Sequence, residues 1–148
     1  GMDRLTDILW TPAHKGALIA GCVQLIESRI ASRGGLKGMA LKTGLSMLKA
    51  RKPGILERAT AKLLPDFIAA LEPLYQHCVS SGNPNFPLYL QLHAPRATQA
   101  LLEVADQRVA DSGSHGTQSA YAKLRGTAET EVLAAIPGLA KLIGQHLP

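Results

Sequence analysis

Apolar residues recur at the three- and four-residue spacing of an α-helix through most of this chain. The pattern is strongest from Pro12 to Ser32, where the apolar positions are Leu18, Ile19, Cys22, Leu25, Ile26 and Ile30. Pro12 suits the first turn of a helix, and the pair Gly34-Gly35 suits its end. The sequence therefore predicts a long helix over 12–32, and we expect it to lie at the centre of the fold.

Two further predicted helices flank Pro53. The first runs from Leu36 to about Lys49, and its apolar stripe comprises Leu41, Leu45 and Leu48, spaced at i, i+4 and i+7. We expect these leucines to face the core and the lysines of the same helix to face solvent. The second helix begins after Pro53 and carries its basic residues on a different side from its apolar ones.

Prolines divide the rest of the helical pattern. Pro65 is predicted to start a helix, and Pro73 to kink or restart it, because proline has no N–H to donate to the preceding turn. Near the end of the chain, Thr127 is predicted to cap a helix, and Pro137 either kinks that helix or starts a last one. Each proline therefore marks a boundary in the predicted order of helices.

The strongest break in the pattern is at 80–86, which is rich in Ser, Gly, Asn and Pro. Neither half is large enough to form a comfortable core alone, so we expect one domain over 2–148. Gly1 precedes Met2 and resembles the remnant of an expression tag, so this domain is taken to begin at Met2. The predicted fold is all-α, a single-domain bundle of about seven or eight helices, several kinked or restarted at prolines.

The basic residues are concentrated in one part of the chain. Nine of the 16 Lys and Arg residues lie in 29–62, together with a single acid, Glu57. The remaining residues carry seven basic and ten acidic side chains, so the net charge of +5 is the sum of +8 and −3. Such a surface attracts a polyanion or an acidic protein, or is simply a solvated helix face.

The candidate anion-binding residues in this segment are Lys37, Lys42, Lys49, Arg51, Lys52, Arg58 and Lys62. The glycine-rich turn at 34–38 lacks the GK[ST] of a phosphate-binding loop, which leaves at most a loose anion site at a helix N-terminus. Residues 29–62 contain no aromatic side chain to stack on single strands. The helix after Pro53 offers no Asn or Gln to read bases. We therefore expect no sequence-specific nucleic-acid binding.

A second candidate site is a polar cluster of Asp106, Arg108, Tyr121 and Arg125. Arg108 falls on the apolar stripe of a predicted helix over 95–111, so it would need a carboxylate partner if buried. The cluster is either a pocket for a small ligand or substrate, or an ion pair with a tyrosine hydrogen bond that fixes one helix to another.

Motifs for catalysis and metal binding are absent from the sequence. The five histidines have no HxxxH spacing, Cys22 and Cys78 form no CxxC, and no GxSxG is found. We predict no catalytic residues, cofactor or metal, and we expect both cysteines to be reduced core residues. The longest stretch without Asp, Glu, Lys or Arg, 73–95, contains prolines and a glycine, so we expect no membrane span and a cytoplasmic protein.

Six phrases carry a resemblance to a known family: GLKGMALKTG, KPGI, LLPDFIAALEPLY, LLEVADQR, AYAKLRGTAE and AIPGLAKLI. In this order they resemble a family of small, all-helical bacterial proteins of unknown function, over about residues 5 to 146. The resemblance implies a cytoplasmic helical domain and supplies no catalytic residues. With no visible site chemistry, we expect a non-catalytic protein-interaction module, a homo-oligomer. The alternatives are polyanion binding through 29–62 and a ligand pocket or enzyme site at the polar cluster.

Overall fold

Seven α-helices make up the part of the chain that the computed structural model describes, residues 3–148. They are α1 (Leu5–Leu9), α2 (Lys15–Ser32), α3 (Gly35–Arg51), α4 (Ile55–Ser80), α5 (Phe86–Leu92), α6 (Ala94–Asp111) and α7 (His115–Gly144). Strands are absent from these residues, and six of the seven helices, all except α3, contribute to one core, so the predicted all-α single domain is confirmed. Gly1 and Met2, and with them the prediction about Gly1, lie outside the described residues.

The core is built around α4, which packs against α1, α2, α3, α5 and α6. Its buried residues are Leu64, Ile68, Leu71, Leu74 and Cys78. They share one face because they recur every three or four residues along the helix. α2 buries only Leu18 and Val23, so the expectation that the helix over 12–32 is central is wrong.

Prolines lie inside the two longest helices and do not end them. α4 continues through Pro65 and Pro73, and α7 continues through Pro137. The predicted helix start at Pro65 is therefore wrong, as is the cap at Thr127, and of the two alternatives at Pro73 and at Pro137 the start of a new helix does not occur. A proline inside a helix costs about 3 kcal/mol. Core residues lie on both sides of each proline, and a continuous helix keeps both sets buried, which offsets this cost.

The predicted break at 80–86 separates α4 from α5. Gly82 has a φ of +77°, a conformation that glycine adopts without strain. The Asn85 side chain accepts a hydrogen bond of 3.1 Å from the Leu88 backbone N–H and so caps α5. The Cys78 thiol donates to the Asn83 carbonyl at 3.0 Å, which fixes the turn to the end of α4.

α2 and α7 are interlocked through two glycines. A Cβ atom on Gly21 of α2 would lie 2.5 Å from Leu142 Cδ1 of α7, and one on Gly138 of α7 would lie 2.6 Å from Leu25 Cδ2 of α2. Each glycine thus receives a leucine side chain from the other helix. Near the C-terminal end of α2, Arg29 and Arg33 both pair with Glu131 of α7.

Candidate functional site

α3 is packed far less closely than any other long helix. Its one buried residue is Gly38, and Leu45 is half-buried. Leu41 and Leu48 are exposed by 39% and 42% of their surface, so the expectation that the leucine stripe faces the core is wrong. A Cβ on Gly38 would lie 2.2 Å from the Arg33 carbonyl oxygen. At about 100° per residue Leu41 and Leu48 lie about 60° and 80° around the helix from Gly38, so they sit at the margin of the side that approaches α2 and stay partly in solvent.

The outer side of α3 is apolar as well. Leu36, Met39 and Met47 are exposed by 86%, 65% and 60%. The outer apolar stripe, as we call this surface, comprises Leu36, Met39, Ala40, Thr43, Met47 and Ala50, all of them exposed. At about 100° per residue these positions fall within roughly a third of the helix circumference, on the side opposite Gly38 and Leu45. Apolar residues on two opposite sides therefore give α3 no clear amphipathic pattern.

Basic residues lie along both edges of the outer apolar stripe. Lys42 and Lys49 lie on one edge, and Lys37 and Arg51 on the other, each about 70° to 130° around the helix from the middle of the stripe. Lys52 follows directly as the C-cap, and α3 contains no acidic residue. The helix thus presents an apolar surface between two rows of positive charge.

α3 is held to the rest of the protein by few contacts. Lys49 Nζ donates to Glu27 Oε1 of α2 at 2.6 Å, and this hydrogen bond raises the pKa of the Lys49 ammonium group. At its two ends are glycines in the left-handed region, Gly35 with φ +72° and Gly54 with φ +77°. A single ion pair and the contact at Gly38 therefore position this surface, together with limited packing on α2 and α4.

The other basic residues of 29–62 are partly occupied by contacts within the protein. Arg58 donates to the Pro53 carbonyl at 2.7 Å, and Lys62 lines a groove between α4 and α6. Within residues 3–148, no carboxylate lies within 4.0 Å of the side-chain nitrogens of the remaining candidates, Lys37, Lys42, Arg51 and Lys52. These four residues are therefore the cations that an external anion would meet first.

Three of the four residues of the predicted polar cluster meet between α6 and α7. Arg125 donates to both oxygens of Asp106, from Nε at 2.9 Å and from Nη2 at 3.1 Å. The Tyr121 hydroxyl donates to Asp106 Oδ1 at 2.7 Å. These hydrogen bonds, that from Arg125 first, lower the pKa of Asp106. Burial and the hydrogen bond to Asp106 raise the pKa of Tyr121 to about 12.

Arg108 is not part of this cluster. Residues 106 and 108 lie about 200° apart on a helix, so Asp106 faces α7 while Arg108 turns toward α4. There Arg108 forms an ion pair with Asp66, a partner that the sequence reasoning missed. Helical phase predicts that the two side chains diverge, whereas no local signal in the sequence identifies Asp66. The three remaining residues are hydrogen-bonded to one another and so connect α6 to α7, and Arg125 also donates to Glu129 at 3.2 Å.

The groove between α4 and α6 has a volume of about 950 Å³ and is open to solvent. Alanines at 59, 70 and 100 widen it, and the Asp66–Arg108 ion pair crosses it. No group of three or more His, Cys, Asp or Glu side chains in residues 3–148 is placed to hold a metal ion. The groove is open rather than enclosed, unlike most small-molecule sites, and polar residues such as Lys62, Glu103 and Gln107 line it beside the ion pair.

Two histidines meet where α2 begins and α7 ends. His14 Nδ1 and His146 Nδ1 are 2.7 Å apart, with their rings edge to face. Burial and the neighbouring His14 lower the pKa of His146. The pair is therefore more stable when at least one of the two rings is neutral. The contact ties residues next to the chain end to the N-terminus of α2.

Comparison with known proteins identifies the family. The chain belongs to DUF6918, a family of unknown function, and the match covers residues 5–147. This confirms the resemblance to an uncharacterised family that the sequence phrases indicate. No curated protein and no solved structure matches the chain. None of the helices described is both long enough and apolar enough to cross a membrane.

Proposed function

We propose that this protein is a non-catalytic helical module that binds other proteins through α3. The observation that carries the proposal is the outer apolar stripe, whose three largest side chains, Leu36, Met39 and Met47, are mostly in solvent. Apolar side chains grouped on one helix and rimmed by charge are typical of a protein contact surface. Methionine suits such a surface because its flexible, polarizable side chain adapts to different partners.

The arrangement of charge favours a protein over a nucleic acid as the partner. Nucleic-acid binding rests chiefly on cations that contact phosphates, whereas the largest exposed side chains of α3 are apolar and its cations lie on either side of them. The absence of aromatic side chains from 29–62 also removes base stacking. The basic edges are then best explained as contacts with acidic residues that surround an apolar patch on the partner.

Site-directed photo-crosslinking in the cell tests this proposal. A photoreactive amino acid at Met47 reports the partner of α3, and the same amino acid at Leu124, an exposed residue of α7, is the control. A protein crosslinked from Met47 and not from Leu124 is then purified, and its affinity is measured by calorimetry. We expect the Met39→Ser/Met47→Ser variant to bind at least about tenfold more weakly, a loss of about 1.4 kcal/mol.

The control in the binding measurement is Leu124→Ser, which removes an exposed leucine from a different helix. We expect it to bind as the wild type does. Equal crosslinking from both positions, or equal affinity of the two variants, would show that α3 is not the contact surface.

A second candidate function is the binding of polyanions through the same helix. The observation in its favour is that Lys37, Lys42, Arg51 and Lys52 have no carboxylate partner within residues 3–148. Retention on heparin at moderate salt supports it if charge reversal of Lys37 and Lys42 abolishes the retention while Met39→Ser/Met47→Ser leaves it unchanged. The reverse pattern supports the protein-binding function.

Self-association and a cytoplasmic location are further parts of the proposal. The thiols of Cys22 and Cys78 are free and at least half-buried, which supports a reducing compartment. Two copies of α3 placed face to face would bring like charges together, so we place any contact between copies on another surface. Light scattering across a range of concentrations measures whether the protein forms an oligomer.

A further inference from the structure

The geometry of α3 points to the chemical class of its partner: an amphipathic helix whose apolar face is flanked by acidic residues on both sides. This inference rests on the proposed function and adds what kind of segment α3 binds. It follows from three properties of the surface: its length, the position of its charges, and the side chains that it lacks.

The length of the outer apolar stripe suits a helical segment of the partner better than a loop or a single anchoring side chain. From Leu36 to Ala50 the stripe follows one side of a straight helix for about 21 Å, at about 1.5 Å per residue. Its members recur every three or four residues, which is the spacing at which a second helix places its own apolar side chains. Large residues lie near both ends, at Leu36 and Met47, with Ala40 and Thr43 between them.

The charges specify what must flank the apolar face of the partner. Lys42 lies along one edge of the stripe, where its neighbour Lys49 is already paired with Glu27, and Lys37 and Arg51 lie along the other edge. A helix packed along the stripe places its own flanking positions next to both edges, as in paired helices where flanking charges select the partner. Because both edges are positive and α3 has no acid, the complementary helix carries acidic residues on both flanks.

Two other occupants fit this surface less well. A second copy of α3 would face basic edges with basic edges, which costs free energy wherever like charges approach. An anionic lipid surface suits the charge, but helices that lie in the membrane interface use Trp, Tyr or Phe side chains as anchors, and 29–62 has none. An acidic helix satisfies both the apolar stripe and its two positive edges.

Binding of designed peptides to the whole protein tests the inference. The probe is an 18-residue fluorescent peptide with leucines at helical spacing and glutamates on both flanks, and the matched control has lysines in place of the glutamates. We expect the glutamate peptide to bind with a Kd on the order of micromolar and to gain helicity. We expect the lysine peptide to bind at least about tenfold more weakly, a difference of about 1.4 kcal/mol.

Two protein variants separate the contributions of charge and apolar contact. The variant Met39→Ser/Met47→Ser should fail to bind the glutamate peptide at any salt concentration. Lys37→Glu/Lys42→Glu/Arg51→Glu should reverse the preference, so that the lysine peptide binds more tightly. Both variants change only exposed residues, so we expect circular dichroism to show the fold intact.

Several results would overturn the inference. They are equal binding of the two peptides, no reversal of preference in the charge variant, and tighter α3-dependent binding to duplex DNA or to vesicles containing phosphatidylserine. Dimerisation that requires Met39 and Met47 would overturn it as well. The proposed function is tested separately, because crosslinking from Met47 to a protein segment that is neither acidic nor helical would refute this inference and leave the protein-binding function in place.

Discussion

α3 and α4 are consecutive helices with similar shares of apolar residues and very different environments. α4 buries five apolar residues and contacts five other helices, whereas the one residue that α3 buries is a glycine. The difference lies in the phase of the apolar positions. In α4 they recur on a single face, while in α3 Leu41, Leu45 and Leu48 occupy one side and Leu36 and Met47 the other.

This comparison shows that the number of leucines in a helix does not decide how much of it is buried. A helix with one apolar face can bury that face against a core, and the free energy of burial then holds the whole helix in place. A helix with two opposite apolar faces can bury only one against the same core. The other face stays in water unless a partner covers it, which is why α3 is the surface we propose for binding.

The largest expected difference between the two helices is in the effect of truncating an apolar side chain. Leu71 of α4 is 2% exposed, so we expect Leu71→Ala to lower the free energy of unfolding by about 2–5 kcal/mol. Met47→Ala in α3 should change it by less than about 0.5 kcal/mol, because the side chain is already in solvent. Chemical denaturation followed by circular dichroism measures both. Similar losses in the two variants would show that α3 is packed as closely as α4.

A second comparison concerns two glycines within α3. We expect Gly38→Ala to destabilise the protein by about 1–3 kcal/mol, because its new methyl group would overlap the Arg33 carbonyl and force α3 away from α2. A Cβ atom on Gly44 would meet no neighbouring atom within 4 Å, so Gly44→Ala should stabilise the helix by about 0.5–1 kcal/mol. Melting temperatures that shift in opposite directions would confirm both. A neutral Gly38→Ala would place the α2–α3 contact elsewhere.

The smallest expected effect is the change in the mobility of α3 with pH. The pKa of Lys49 is raised above its ordinary value of 10.5, chiefly by the hydrogen bond to Glu27. The pair therefore contributes its full stabilisation below pH 10.5 and loses it as the pH rises through the higher pKa of the folded protein. A nitroxide attached at Met47→Cys should become more mobile as the pH rises above 10.5, while one on α4, at Ala69→Cys, should not.

The variant Glu27→Gln is the control for this measurement. It removes the carboxylate that holds Lys49, so the label on α3 should be mobile at neutral pH and should change little as the pH rises. If the mobility still rises in Glu27→Gln, another group controls the position of α3. Labelling is specific because Cys78 is buried and burial raises the pKa of the Cys22 thiol to about 11.

The fold class was predictable from the sequence because helical spacing is a local property. The break at 80–86 and the extent of α6, predicted over 95–111 and observed over Ala94–Asp111, also follow from local turn and helix signals. The continuity of α4 through Pro65 was not predictable in this way. It depends on Leu64 and Ile68 packing into the same core on both sides of the proline, which is a tertiary effect that overrides a local penalty.

The candidate sites were predictable in part, for the same reason. Tyr121 and Arg125 lie one turn apart and so reach Asp106 together. The partner of Arg108 is Asp66, 42 positions earlier in the chain, and only the packing of α4 on α6 brings them together. How much of α3 is exposed depends on how it packs against α2 and α4, which no pattern within α3 predicts.

The interlocked glycines of α2 and α7 limit how α3 can move. α2 cannot slide along α7 without withdrawing Leu142 from Gly21 and Leu25 from Gly138, and Glu131 holds its far end through Arg29 and Arg33. α3 begins at Gly35, directly after this fixed end of α2, so the α2–α7 contact also sets where the outer apolar stripe lies relative to the core. A partner therefore meets a surface whose direction is set by side chains that it never touches.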